Sequence, residues 1–543
     1  MMKQAVLLHM VIVIHAILIC ACKQAPSVEV IARGAPIKGA FGINIDKRDR
    51  LYTASFREIV VMDPDSGKIL ERIGSDIGVE GVDDLAFGPD DSLYWTSPPK
   101  GEVSKIGQDG KKAVVAQGLP GVNPITFSDD GRLFVALRDS KAKGLYELYP
   151  DGSKPPREIN KDLVALNAFD FGPDGKLYAP LFFEGKIISI DVDSGSTRTV
   201  AEGFKMPSAV KFDAKGRLFA VDYNQGKVFL VNPTYGEKIE YATIKPGLSN
   251  LVFDSQGRLF VSNDTGAIYQ VHENGKVRIV SPGGFTNVAG IAVLPHADGE
   301  SVYVPIIFGG IVEIDGSTGR QRSFKDTFDW VSPMHMLEMP MTLAADDDQL
   351  VIASLFGNAV QVWNPVTNAV SLEYTDTKCP TNAIPFQGDI VVAEIGSEQP
   401  RIVRISKANP ASRTILAELN MPVGLAATSH DLWATDWAAG TVVQIVKGGQ
   451  QLTVPAVVAS GLQGPEGLAV APDGSLLVVE SLAGRLSRIN SKNKTVSSIA
   501  ENLELGSSEL FGIPFGTFDG VAVGPSSAIY VGGDKANVVY RIK

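Results

Sequence analysis

Carboxylate and amide side chains recur at matching places along this chain, and their chemistry is that of hard oxygen donors. Glu466 and Asp519 each stand directly before a glycine, in Glu466-Gly467 and Asp519-Gly520. Asp83, Asn123 and Asn167 hold the equivalent place upstream, while Asp436 and Glu480 share a second, later place. Carboxylates with amide carbonyls suit Ca2+ or Mg2+, whereas zinc prefers nitrogen and sulfur donors. A hard cation with open positions polarises a lactone or ester carbonyl and acidifies bound water, and a neighbouring carboxylate then moves the proton. Polar residues at strand starts also cap strand ends or hold water, and that reading stays open. The chain carries no HExxH, CxxC, GxSxG, Walker or dinucleotide-binding glycine signature.

These places are equivalent because the chain repeats itself. Each copy has an apolar run, a turn of the Pro-Asp-Gly or Asp-x-x-Gly kind, an alternating run, a Gly-containing turn and a third run. Twelve copies lead from an anchor at Leu51 to one at Ile529, spaced 40 to 53 residues apart. The turn aspartates, such as Asp90, Asp174 and Asp473, are turn formers through local side-chain to backbone bonds. Three runs and a weaker fourth make a four-stranded antiparallel sheet with two apolar faces, which only stacking on like sheets can hide. The expected fold is therefore all-β and propeller-like, with strands A to D in each blade from the channel outward. Two tandem six-bladed rings are expected, at 28–274 and 275–543, each closed by its own N-terminal outer strand. Residues 28–34 would supply the fourth strand of copy six, and Lys276 to Ser281 that of copy twelve.

At blade level, GPEGLAVAPDGSLLVVES and FDGVAVGPSSAIYVGGD resemble the regucalcin/gluconolactonase-like six-bladed propellers, relatives of the strictosidine-synthase-like group. That resemblance implies one divalent metal in the channel, held by Glu, Asn and Asp residues each placed before a Gly at the start of an A strand. Glu466 and Asp519 match and become the expected metal ligands of the second ring, with Asp436 or Glu480 as candidate base. Asp83, Asn123 and Asn167 hold the same column in the first ring without the following Gly. The implied activity is metal-dependent lactone or ester hydrolysis. A non-catalytic ligand- or protein-binding scaffold and a channel lyase or condensing enzyme remain alternatives, because one propeller frame hosts many functions.

Two longer repeats place extra chain at about 321–340 and 499–518, carrying Phe324, Phe328, Trp330, Met334, Met336, Phe511, Phe515 and Phe518. Apolar loops around a polar channel are the expected walls of a small-molecule pocket. His335 is the histidine nearest such a loop, and Cys379 reads as an inert thiol or a channel nucleophile. Residues 1–22 read as a secretory leader ending in Ile19-Cys20-Ala21-Cys22, which resembles a bacterial lipoprotein signal. Lipid on Cys22 would tether the exported protein to a membrane; cleavage with release, or a retained anchor, are the alternatives. Across 543 residues the formal net charge is −11, without basic blocks, so a nucleic-acid partner is excluded in favour of a small molecule or a protein.

Overall fold

In the computed structural model, the residues described are 26–139, 142–306, 310–326, 337, 339–506 and 517–543. They form twelve four-stranded antiparallel sheets, here blades 1 to 12 in chain order. Among the described residues, no helix is long and apolar enough to cross a membrane.

The repeat's turn chemistry explains the hairpins. In blade 5, Asp213 accepts from the backbone N–H of Lys215 (3.0 Å) and Arg217 (2.8 Å), and its second oxygen takes Arg217 Nε at 2.6 Å. Gly216 completes that turn at φ +76°, a left-handed conformation that favours glycine. Asp254 and Arg258 repeat the device in blade 6. Second strands such as Leu51–Ser55, Leu93–Ser97 and Leu476–Glu480 are buried at every position. A strand covered on both faces by neighbouring blades has no solvent side, so its sequence is near-continuously apolar. Outer strands such as Thr197–Glu202 are mostly exposed.

The core consequently lies between blades. Phe219 and Val221 of blade 5 pack with Leu251 and Val261 of blade 6. The A strand of blade 1 (Ile43–Ile45) lies beside that of blade 6 (Leu248–Phe253), and Ile43 and Val60 share a core with Val252 and Phe260. In the same way the A strand of blade 7 (Ala292–His296) meets that of blade 12 (Val521–Val523). Tyr530 clasps this second junction, donating to Glu300 Oε1 at 2.6 Å, and its oxygen lies 2.8 Å from the carbonyl of Gly316. Blades 1–6 and blades 7–12 thus each come round on themselves.

The closing strands differ from the expected exchange. Val277–Ser281 pairs with Ile268–Val271 of its own blade 6, and Val28–Arg33 pairs with Val538–Ile542 of blade 12. The reason is local. His272 and Lys276 are joined by a tight turn, with Gly275 at φ +76° and the His272 amide bonded to Lys276 O at 2.8 Å. A strand that folds straight back on its predecessor closes a loop of a few residues, so it outcompetes a partner hundreds of residues away. The first ring therefore completes itself in chain order, and blade 12 alone lacks a fourth strand, which the N-terminal segment fills. The change of ring falls at 282–291 rather than at 274/275, and residues 28–33 belong with the second ring.

Candidate functional site

Two chain segments cross between the rings side by side. The Ala35 amide donates to Phe285 O at 2.9 Å, and Gly34 N donates to Asn537 O at 2.7 Å. The Asn537 side chain ties the crossing together: its amide donates to Ala35 O at 2.9 Å, and its oxygen accepts from Asn287 N at 2.9 Å. Asn537 sits in the B–C turn of blade 12, beside the start of that blade's A strand.

Here the structure brings Glu466 and Asp519 together. The Asp519 amide donates to Glu466 Oε2 at 2.7 Å. Asp519 in turn accepts from Gly506 N (2.7 Å) with one oxygen and from Asp534 N (2.8 Å) with the other. Asp534 is the third member; its Oδ2 accepts from the hydroxyl (2.6 Å) and the amide (3.2 Å) of Thr517. Glu466, Asp519 and Asp534 retain only 1%, 0% and 0% of their surface. Burial, followed by the Asp534 charge, pushes the Glu466 carboxyl up to about 8. The Asp519 carboxyl is raised well above the usual range by burial, then by Asp534 and Glu466. Asp534 escaped sequence reasoning because Gly533 occupies its place in the repeat, leaving the carboxylate one residue late.

Two cations from the first ring lie within electrostatic reach of this group. Lys38 precedes the first A strand, and Arg57, buried, sits in the B–C turn of blade 1. Both feel Asp534 and, more weakly, Asp519. Burial brings the Lys38 ammonium down to about 8 against the pull of Asp534, and it lowers Arg57 as well. The residues fit a divalent ion poorly. Both Asp519 oxygens already serve backbone amides, one oxygen each of Glu466 and Asp534 is likewise taken, and two cations stand alongside. Among the described residues, no three His, Cys, Asp or Glu side chains assemble as a metal centre.

The rest of the mouth is apolar. Ala289, Met341, Leu355, Val423 and Phe518 form a buried cluster, bordered by Phe356, Met421 and Trp437. Cys379 packs in this border, and burial raises its thiol, which makes it a poor nucleophile. Of the insertion aromatics, Phe518 joins this wall, whereas Phe324 is exposed on an outer strand. Phe328, Trp330, Met334, His335, Met336, Phe511 and Phe515 lie outside the described residues, as do Cys20 and Cys22. Further along the axis, the A strands of blades 7–12 line a cavity of about 270 Å³, walled by residues such as Ala292, Ala344, Ile384 and Ala426.

Asp436 and Glu480, the expected bases, are fully engaged within their own blades. Each ends a B strand and pins the loop that enters its own blade. Asp436 accepts from the amides of Asn420 (2.9 Å), Met421 (3.1 Å) and Ala439 (3.1 Å). Glu480 accepts from Gln463 N (2.9 Å), Ser487 Oγ (2.6 Å) and the Arg485 guanidinium (2.8 Å, twice). Burial would raise Glu480, but Arg485, Ser487 and Gln463 together hold it below the ordinary value. Asp222 does the same in blade 5, accepting from Lys205 N at 2.7 Å. A recurrent position of this kind is a blade staple, and repetition alone does not separate a staple from a base.

In the first ring, Asp83 is half-buried; burial raises it against the pull of Arg138. Asn123 gives its carbonyl to Thr96 Oγ1 (2.6 Å), and the Asn167 amide bonds to Pro180 O (3.3 Å). The next residue, Asp84, is the hub. It accepts from Asn250 Nδ2 of blade 6 (3.0 Å) and Ile125 N of blade 3 (3.1 Å), with the Lys211–Asp170 pair of blades 5 and 4 nearby. This polar plug ties blades together across the axis. Burial pushes Asp84 up to about 7 against Lys211 and the amides of Ile125 and Leu85. Because the folded-state value exceeds the ordinary 3.8, Asp84 costs the fold stability increasingly as pH rises from about 4 through 7. Asp84→Asn is therefore expected to compare progressively better with the wild type as pH rises across that window. Unfolding curves at pH 4, 5.5 and 8 measure this; a difference that does not change with pH contradicts it.

No family model and no curated protein matches this chain. Among solved structures it is similar to a streptogramin B lyase, at 16% identity over 52% of this chain and 96% of that one, TM-score 0.37. It is similar to a putative gluconolactonase at 15% identity, over 48% and 94% of the two chains, TM-score 0.38. The extracellular domain of a putative one-component system from B. thetaiotaomicron is 12% identical over 95% of this chain and 82% of its own, TM-score 0.33. The protein is an all-β chain of repeated four-stranded antiparallel blades.

Proposed function

We propose that this is an exported, membrane-tethered propeller enzyme of the hydrolase or lyase type, acting on a lactone or ester at the mouth of the second channel. The observation behind this reading is the buried Glu466–Asp519 pair, joined through a 2.7 Å bond beside an apolar wall. Carboxyls raised toward neutrality are suited to acid and base roles at working pH. In ester cleavage, the water oxygen forms the new bond to the carbonyl carbon as Glu466 takes the water's proton, and the alkoxide leaves with that proton. Asp519, both of whose oxygens accept from backbone amides, holds Glu466 through its own amide. The apolar cluster around Met341 and Phe518 would receive the acyl part. A second reading, a non-catalytic scaffold, is favoured by the near-complete burial of the three carboxyls, which suits a charge latch between rings.

The test is turnover of δ-valerolactone, longer-chain lactones and 4-nitrophenyl esters by the mature protein, with cell fractionation reporting membrane attachment. Glu466→Gln and Asp519→Asn are each expected to lower kcat by about 100-fold to 10,000-fold while the fold survives. Wild-type inactivity on the whole panel, or variants as active as the wild type, would favour the scaffold.

A further inference from the structure

We propose that Lys38 and Arg57 of the first ring are the resident cations of the second ring's carboxylate cluster. They supply the positive charge that a divalent ion would otherwise bring, so the channel mouth is a metal-free site completed across the ring junction. This rests on the proposed function only for the location of the working site.

Connectivity brings the charges together. Ala35 is bonded to both Phe285 and Asn537, and Lys38 lies three residues beyond it. Asp534 lies three residues before Asn537 in the same turn. Three residues span at most about 11 Å, so the knot keeps both groups at the same end of the ring junction. Arg57 is held from the other side: Ser55 Oγ donates to Lys38 O at 3.2 Å, which ties the B–C turn of blade 1 to the segment carrying Lys38. Glu58, the other carboxylate near both cations, already forms an ion pair with Arg72. Asp534 is the opposite charge that Lys38 and Arg57 feel most strongly, with Glu58 and Asp519 behind it.

Buried carboxylates demand compensation, and ammonium and guanidinium groups from a neighbouring unit provide it as a metal would. A divalent ion added beside them would meet two positive charges in a medium of low dielectric. Both Asp519 oxygens and one Asp534 oxygen already accept from backbone amides, which leaves these carboxylates few free positions for an ion. Lys38 and Arg57 act through the carboxylates and are positioning residues.

The experiment uses the full mature chain. Elemental analysis is expected to find substoichiometric divalent metal, and the melting temperature should not move with EDTA or CaCl2. One equivalent of Ca2+ or Mg2+ whose removal lowers the melting temperature overturns the proposal. A double-mutant cycle of Arg57→Met with Asp534→Asn is expected to show coupling of about tenfold in the unfolding constant, as for residues sharing a network. Additive effects overturn it. Should Arg57→Met fail to fold, the same cycle with Lys38→Met and Asp534→Asn applies the same criterion, and Arg57→Lys is expected to restore most of the loss. None of these readouts uses turnover, so an inactive protein would count against the proposed function and leave this inference standing.

Discussion

Deleting residues 26–33 is expected to unfasten the second ring and leave the first intact. Val28–Arg33 is the fourth strand of blade 12, although it lies at the far end of the chain from Val538–Ile542. Ala32 is buried in the cluster that holds Val304, Tyr530 and Val539, and Ile31 packs against it. Without this strand, Val538–Ile542 becomes an open edge with unpaired backbone groups, which invites association between molecules. The first ring takes all its strands in order from Ile43 to Ser281 and loses no pairing. Loss of several kcal/mol in a unit of this size lowers its melting temperature by about 10 °C or more, at roughly 2–4 °C per kcal/mol. Calorimetry with hydrogen exchange measures this ring by ring. Unchanged protection of the blade 12 amides in the truncated protein would refute the assignment.

Arg485→Met is expected to cost about 3–5 kcal/mol, because it strands a buried carboxylate. Glu480 has no exposed surface, and Arg485 meets it with two 2.8 Å bonds. Replacing both partners, as Glu480→Gln with Arg485→Met, should recover much of that loss, since no charge is left buried. The pH dependence has a definite sign. Glu480 is held below its ordinary 4.5, so its contribution is present above that value and fades as pH falls through the folded-state value. The gap between wild type and Arg485→Met should therefore narrow in acid, as denaturant titrations at pH 7 and pH 3.5 would show. An equal gap at both values would remove the staple reading of Glu480.

Glu480 and Asp436 also mark where reading by repeats stops. Their matched places identify a shared role, and their surroundings show that role to be pinning each blade's incoming loop. Asp84 makes the complementary point: Asp83 holds the aligned column, yet its neighbour reaches the axis and binds blades 3 and 6. Strand direction alternates residue by residue, so an alignment one position off selects the opposite face. Lys38 and Arg57 belong to no recurrent column at all, and only the packing of one ring against the other brings them to Asp534.

By itself, the amino-acid order determined what is short-range: the turns, the four-strand unit, its twelvefold recurrence, and the approach of Glu466 to Asp519 as like positions on adjacent blades. Tertiary structure decided which strand completes blade 12, which carboxylates meet cations, and where the rings join. Hairpins are settled by residues a few positions apart. A free edge or a buried charge is satisfied by whatever partner the finished packing brings within reach, and that partner's distance along the chain leaves no local trace.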